Sequence, residues 1–179
     1  MRDWKTSRAL LQSVRHAVPA PSATSLSHSR GHAICAAAPD GWIVGADLEA
    51  IRPRNIDGLA QWVCDPAERD ALEGQDADAR LDLFYRMWTL KEAFVKAAGL
   101  DFPADMAAVG LAPTGAGMAL RAPAGTWEAC SYRLGGQWMA SVVWQRPQGG
   151  AHEPLRPRWV GGSSCPLPAL EFLGHLQAG

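Results

Sequence analysis

Three carboxylates and one ammonium are set at spacings that could do chemistry. Asp47 and Glu49 lie two apart in Trp42–Glu49, a segment that reads as a strand. Side chains alternate along a strand, so both acids leave the same face. Neighbouring carboxylates repel unless a proton or cation joins them, although on a solvated edge water screens them. Trp88, Glu92 and Lys96 follow one another at i, i+4 and i+8 and form one ladder on a helix. On the helix alone, Glu92 and Lys96 make an ordinary surface pair, contributing roughly 0.2–0.5 kcal/mol. Taken together, Asp47, Glu49 and Glu92 are hard oxygen donors of the kind that hold an octahedral cation such as Mg²⁺, with water and phosphate completing the shell. Lys96 would neutralise a further phosphate oxygen. His28, amid the hydroxyls of Ser25–Ser29 (SLSHS), would do so from the opposite side. Alone, SLSHS reads as a polar loop. The whole set describes a site that binds a pyrophosphate and stabilises charge moving onto a leaving group.

Several elements must position these groups. Leu81, Phe84, Tyr85, Trp88, Phe94 and Val95 mostly recur every three or four residues in Leu81–Gly99, which predicts an amphipathic helix stopped by Gly99. Asp76 or Asp78 is its expected N-cap. Ala33–Ala38 and Trp42–Glu49 are expected to form a hairpin around Pro39-Asp40-Gly41. Asp65-Pro66-Ala67-Glu68 predicts a capping box and a helix ending near Gly74, preceded by a loop that carries Arg52 and Arg54. Residues 4–17 read as a short helix broken at Pro19–Ser22. Residues 106–112, 117–122, 126–134 and 137–145 read as strands, the last two joined at Leu134–Gln137. Pro147–Pro166 reads as linker, and Leu167–Leu176 as one or two helical turns docking on the body.

Composition excludes several classes. The 179 residues are 47% hydrophobic, enough for one domain or two small halves sharing a core. A net charge of −1 leaves no basic field for nucleic acid or an anionic membrane. Cys35, Cys64, Cys130 and Cys165 show no ligand spacing, which fits a reducing cytosol rather than a zinc site or disulfide scaffold. No signal peptide is read at the N-terminus, and no apolar run approaches ~18 residues, so no membrane span is expected. The eight tryptophans are expected in the core or on strand surfaces.

The motifs resemble those of the 4′-phosphopantetheinyl transferase superfamily, specifically its two-subdomain (Sfp-type) branch. Gly45-Ala46-Asp47-Leu48-Glu49 is similar to its G-x-D-x-E strand end. Trp88 to Lys96, WTLKEAFVK, is similar to its W-x-x-K-E-A-x-x-K helix, and Ser27-His28-Ser29 to the S-H-S ahead of both. The resemblance covers Ser25 to Gly99 firmly and the rest loosely. It implies transfer of the phosphopantetheine arm of coenzyme A to a serine of an acyl or peptidyl carrier protein, with release of 3′,5′-ADP. Asp47, Glu49 and Glu92 would hold Mg²⁺, and Glu92 would act as, or orient, the base that takes the serine proton. Lys96, His28, Ser27 and Ser29 would contact CoA phosphates. Lys91 would lie near those phosphates or assist the proton transfer. An in-line attack with charge offset by metal and lysine needs no covalent enzyme intermediate.

The resemblance also implies an α/β (α+β) fold of two similar halves about a pseudo-twofold axis, with CoA in the cleft between them. The halves are expected at about 1–45 and 46–145, forming a transferase domain over 1–145, with 146–179 as a Pro/Gly-rich tail. Only 26 residues precede Ser27, so the first half is expected to be shortened. Arg8 is the one nearby candidate for the CoA 3′-phosphate and adenine. Ala46, where relatives often carry a β-branched residue, is a milder departure. The expected setting is cytoplasmic, as a monomer or homodimer. Two other readings share these residues. One is a carrier-protein or CoA-binding module of the same fold with weak or no activity. The other is a Mg²⁺-dependent phosphodiester hydrolase.

Overall fold

The computed structural model describes residues 8–14, 22–115, 117–147, 155–162 and 166–178. The elements begin with α1 (8–14), β1 (Ser22–Ser29), β2 (His32–Pro39) and β3 (Ile43–Ala50). Helices α2 (Ile56–Val63), α3 (Pro66–Glu73) and α4 (Ala77–Ala98) follow. A 3-10 turn at Met106–Ala108 leads to β4 (Gly110–Thr114), β5 (Gly117–Arg121), β6 (Trp127–Leu134), β7 (Trp138–Gln145) and β8 (Leu170–Ala178). The fold is mixed α/β, as expected. A four-stranded antiparallel sheet of order β3-β7-β6-β8 carries α4 on one face, and β1-β2 and β4-β5 are separate two-stranded sheets.

Helix α4 begins a turn earlier than its apolar pattern does, because Asp76 caps it by accepting from the amides of Asp78 and Ala79. It ends at Gly99, which is left-handed (φ 64, ψ 38). Phe84, Met87, Leu90 and Phe94 of α4 share one buried cluster with Trp127, Ala129, Met139 and Val143 of the sheet. The sheet's other face buries Ala46, Leu48, Cys130, Tyr132, Ala140, Val142 and Trp144, with Ile34 and Trp159 packed against them. Helix α3 starts on the expected capping box, in which the Asp65 and Glu68 side chains each accept the other's backbone N–H. No helix among the described residues is long and apolar enough to cross a membrane.

The structure corrects several expectations. SLSHS is a strand, not a loop, and β1 pairs with β2 through the two-residue turn Arg30-Gly31. Both turn residues have positive φ (46 and 80), the twist that suits a tight hairpin. Strand β2 is therefore not laddered to β3, although Trp42 N–H still closes the turn onto Pro39 O at 3.3 Å. Strand β3 pairs instead with β7. Helix α2, which the apolar pattern did not announce, is capped by the Asn55 side chain. The strand expected over 106–112 is divided between the 3-10 turn and β4. The helical turns expected over Leu167–Leu176 are strand β8, because the outer edge of β6 offers a ladder of unpaired backbone groups. A bulge lets it pair: Ser131 faces Gly174 and Tyr132 faces Phe172, leaving Leu173 extra. The sheet thus extends beyond residue 145. Helix α1 is seen over 8–14, while the rest of the helix expected at 4–17, Pro19–Pro21 of its breaker, His152, Cys165 and much of Pro147–Pro166 lie outside the described residues. Residues 155–161 form neither helix nor strand.

Candidate active site

Gly45 sets the distance between the two signature elements. A Cβ at this position would lie 2.0 Å from Ala93 O and 2.8 Å from the Ala97 methyl. Glycine on β3 and alanines on α4 therefore let helix backbone touch strand backbone. By alternation Asp47 and Glu49 share the face of Gly45 and look toward α4. Glu92 and Lys96, which precede Ala93 and Ala97 in sequence, are carried to the same seam.

The acids are close enough to act on one another. Asp47 is 4% exposed. Its Oδ1 accepts from Lys96 Nζ at 2.7 Å and from Ser27 Oγ at 2.8 Å, while Oδ2 is buried with no hydrogen-bond partner among the described residues. Lys96 also donates to Ala46 O at 3.2 Å. Burial raises the Glu49 pKa, and the charge on Asp47 raises it further against the opposing pull of Arg54 and Arg52. Burial likewise raises Glu92, helped by Asp47 and Glu49 and opposed by Lys96. Mutual repulsion on a half-dry seam is the condition a cation relieves. Among the described residues no three acids or histidines are already closed into a metal-holding group. The orphaned Asp47 Oδ2 and the mutually repelling carboxylates make the donor set chemically suited to a hard divalent cation.

The expected site residues divide. Asp47, Glu49, Glu92, Lys96, Ser27 and Ser29 come together, the last by Ser29 Oγ donating to Glu49 Oε2 at 3.3 Å. His28 is exposed and, by alternation, on the face of β1 opposite the serines, so it is not brought to the acids. Arg8 lies exposed on α1.

Lys91 is elsewhere altogether. It is 0% exposed, and its ammonium donates to Met106 O at 2.7 Å, Val109 O at 2.6 Å and Glu68 Oε2 at 2.8 Å. All three protons are used, and Gly110 leaves room for the stem. Burial lowers the Lys91 pKa and raises that of Glu68, while each charge opposes the other's shift. The expectation that Lys91 lies beside CoA phosphates or the reacting proton is therefore not met by its position. It ties α4 to α3 and to the 3-10 turn.

Two features escaped the sequence reading. Arg54 lies 5.9 Å from the Trp88 ring centroid and 5.6 Å from that of Tyr85, and its charge reaches Glu49. The second is a row of serines: Ser25, Ser27 and Ser29 Oγ accept from the amides of Ala46, Leu48 and Ala50 at 2.9, 3.2 and 3.1 Å. Their i, i+2, i+4 spacing is the signal that could have revealed a strand.

Buried Asp47 and half-buried Glu49 on one strand, faced by a helix that supplies a third acid and a lysine, make a donor set suited to a cation and a phosphate on an α/β frame. The sequence pattern of the 4′-phosphopantetheinyl transferase superfamily matches residues 43–143, and the chain belongs to that superfamily. It is 36% identical over 93 residues to a 4′-phosphopantetheinyl transferase of Bacillus subtilis, covering 51% of this chain and 40% of that protein. It is 42% identical over 81 residues to the 4′-phosphopantetheinyl transferase AcpT of Salmonella typhimurium, covering 45% of this chain and 42% of that protein. The matches thus span about two fifths of the length of these curated relatives. A holo-(acyl-carrier-protein) synthase from Bacillus anthracis, solved with CoA (3′,5′-ADP), superposes with a TM-score of 0.49 at 15% identity, covering 57% of this chain and 93% of that one.

Proposed function

We propose that this chain transfers the 4′-phosphopantetheine arm of coenzyme A to a serine of an acyl or peptidyl carrier protein, releasing 3′,5′-ADP with Mg²⁺ as cofactor. We place it in the two-subdomain branch, with a cytoplasmic setting, halves at about 1–45 and 46–145, and a transferase unit of residues 1–145 whose sheet β8 completes. The observation that carries the reading is the seam where β3 and α4 touch at Gly45, which brings Glu92 and Lys96 to the buried carboxylate of Asp47.

Asp47, Glu49 and Glu92 are the residues that would hold Mg²⁺. When bound, the cation would offset the charge of the pyrophosphate and of the departing 3′,5′-ADP. Lys96, about one-third exposed at the rim, can turn its ammonium from Asp47 to a phosphate oxygen. Glu92 is poised for the proton. Burial and the neighbouring acids raise its pKa in the free chain, and this carboxylate would take the proton of the attacking serine or help orient the group that takes it. The serine oxygen then bonds to the pantetheine-side phosphorus, and the bond from that phosphorus to the bridging oxygen breaks, leaving the electron pair on 3′,5′-ADP. Arg54, beside Glu49, is a further cation for an anionic substrate.

Intact-mass analysis of an apo carrier protein incubated with this protein, CoA and Mg²⁺ tests the reading. A mass gain of one phosphopantetheine arm, abolished by EDTA, is expected. Carrier or CoA binding with no mass gain across fatty-acid, polyketide and peptide carriers would replace transferase by binding module.

A further inference from the structure

Strand β1 lies beside the free edge of β3 without a backbone ladder to it. The contact is made by side chains. Ser25, Ser27 and Ser29 accept the amide protons of Ala46, Leu48 and Ala50, every second residue of β3. The row satisfies edge donors that would otherwise be left unpaired in a buried seam.

A hydroxyl has one proton to give. Each serine that accepts an amide proton on one side must aim its own proton elsewhere. Ser27 aims it at Asp47 Oδ1 (2.8 Å) and Ser29 at Glu49 Oε2 (3.3 Å). Ser27 is buried and Ser29 half-buried, so the Ser27–Asp47 bond is the better shielded from water. Ser27 and Lys96 together occupy Oδ1, which leaves the buried Oδ2 as the oxygen of Asp47 without a partner among the described residues.

We infer that Ser27 and Ser29 are positioning residues that fix the Asp47 and Glu49 carboxylates for a divalent cation, and that they act through those acids rather than by touching the phosphates of the substrate. This rests on the proposed function. It differs from the expectation drawn from the motif, in which these hydroxyls bind CoA directly. Ser25 provides an internal control, because its hydroxyl closes the β3 edge in the same way and donates to neither acid.

The test is titration of Mn²⁺ alone against the whole chain, followed by electron paramagnetic resonance, with CoA affinity measured separately at saturating Mn²⁺. Removing a hydrogen-bonding partner of a metal ligand weakens metal affinity by about 10- to 100-fold. Ser27→Ala should lose Mn²⁺ affinity on that scale, Ser29→Ala should lose less because its bond is longer, and Ser27→Thr should recover most of the loss. Ser25→Ala should lower thermal stability as Ser27→Ala does while binding Mn²⁺ as the wild type does, which separates positioning from general loosening of the edge. Ser27→Ala with wild-type Mn²⁺ affinity and weakened CoA binding would overturn the inference and return the serine to direct phosphate contact, leaving the metal assignment intact. A wild-type chain that binds no Mn²⁺ would overturn the metal assignment and this inference with it.

Discussion

Lys96 donates to Asp47 at 2.7 Å, joining the last turn of α4 to the middle of β3. The sequence pairs this lysine with Glu92 one turn away on the same helix, and the fold gives it to a strand residue 49 positions distant. The ammonium neutralises the most deeply buried acid of the site. It shares Oδ1 with Ser27 and leaves Oδ2 clear.

Lys96→Met therefore has a two-sided outcome. A hydrogen bond to a charged group contributes about 1.5–3 kcal/mol, so CoA affinity should fall by roughly 10-fold or more. Mn²⁺ affinity in the absence of CoA should stay level or rise, because a competing cation has left Asp47. Calorimetric titration of each ligand checks both. A fall in Mn²⁺ affinity would show that the lysine supports the metal instead of standing in its place.

Gly45→Ala should separate β3 from α4. The added methyl meets a backbone carbonyl at 2.0 Å, which a side-chain rotation cannot relieve. Overpacking of this kind costs about 1–3 kcal/mol. Activity should fall further than stability, because the shift moves Glu92 and Lys96 away from Asp47. Urea unfolding beside single-turnover transfer would show it, and an unaltered turnover would remove Gly45 from the account.

Lys91→Met should act on folding. Breaking one side of a buried ion pair costs about 3–5 kcal/mol, whereas replacing both partners by apolar groups is often neutral. Lys91→Met should lower the unfolding midpoint sharply, and the double variant with Glu68→Met should recover part of it together with transfer activity, the rest staying lost because Glu68 also accepts the Asp65 amide. A stable Lys91→Met protein whose turnover alone is lost would return this lysine to the chemistry.

Asp65 gives a pH signature. Burial alone would raise its pKa, but the Arg121 hydrogen bond and the Glu68 amide outweigh it and hold the group below the usual aspartate value. As pH falls, the unfolded chain takes up this proton first. The stabilisation is thus complete above the ordinary aspartate pKa of about 3.9 and disappears as pH drops through the lower folded value. Asp65→Asn keeps a capping side chain and removes the charge. The difference in urea midpoint between the two proteins should be constant from pH 7 to pH 5 and shrink toward pH 3. A difference that is unchanged at pH 3 would mean that the cap, and not the ion pair, supplies it.

What the sequence showed and what it hid divide along physical lines. Local signals were legible. The apolar spacing of α4, its Gly99 stop, the Asp65–Glu68 capping box and the D-x-E alternation each depend on residues within a turn or two. Partners set by tertiary contact were not. Glu68 serves its own helix cap and is also the counter-ion of Lys91 from another helix, a second role that no local pattern reveals. SLSHS reads as a loop, since hydroxyl-rich stretches ordinarily favour turns, although its hydroxyls repeat with strand period. Leu167–Leu176 reads locally as one or two helical turns. The open edge of β6 decides otherwise.

Transfer differs from binding and from hydrolysis in its products. The most direct measurement is the ratio of holo-carrier protein formed to 3′,5′-ADP released, in a single reaction with CoA and Mg²⁺, for the wild type and for Glu92→Gln. One nucleotide per modified serine is expected for the wild type, and neither product for Glu92→Gln at unchanged thermal stability. Nucleotide released without modified carrier, or a fully active Glu92→Gln protein, would contradict the proposed transfer.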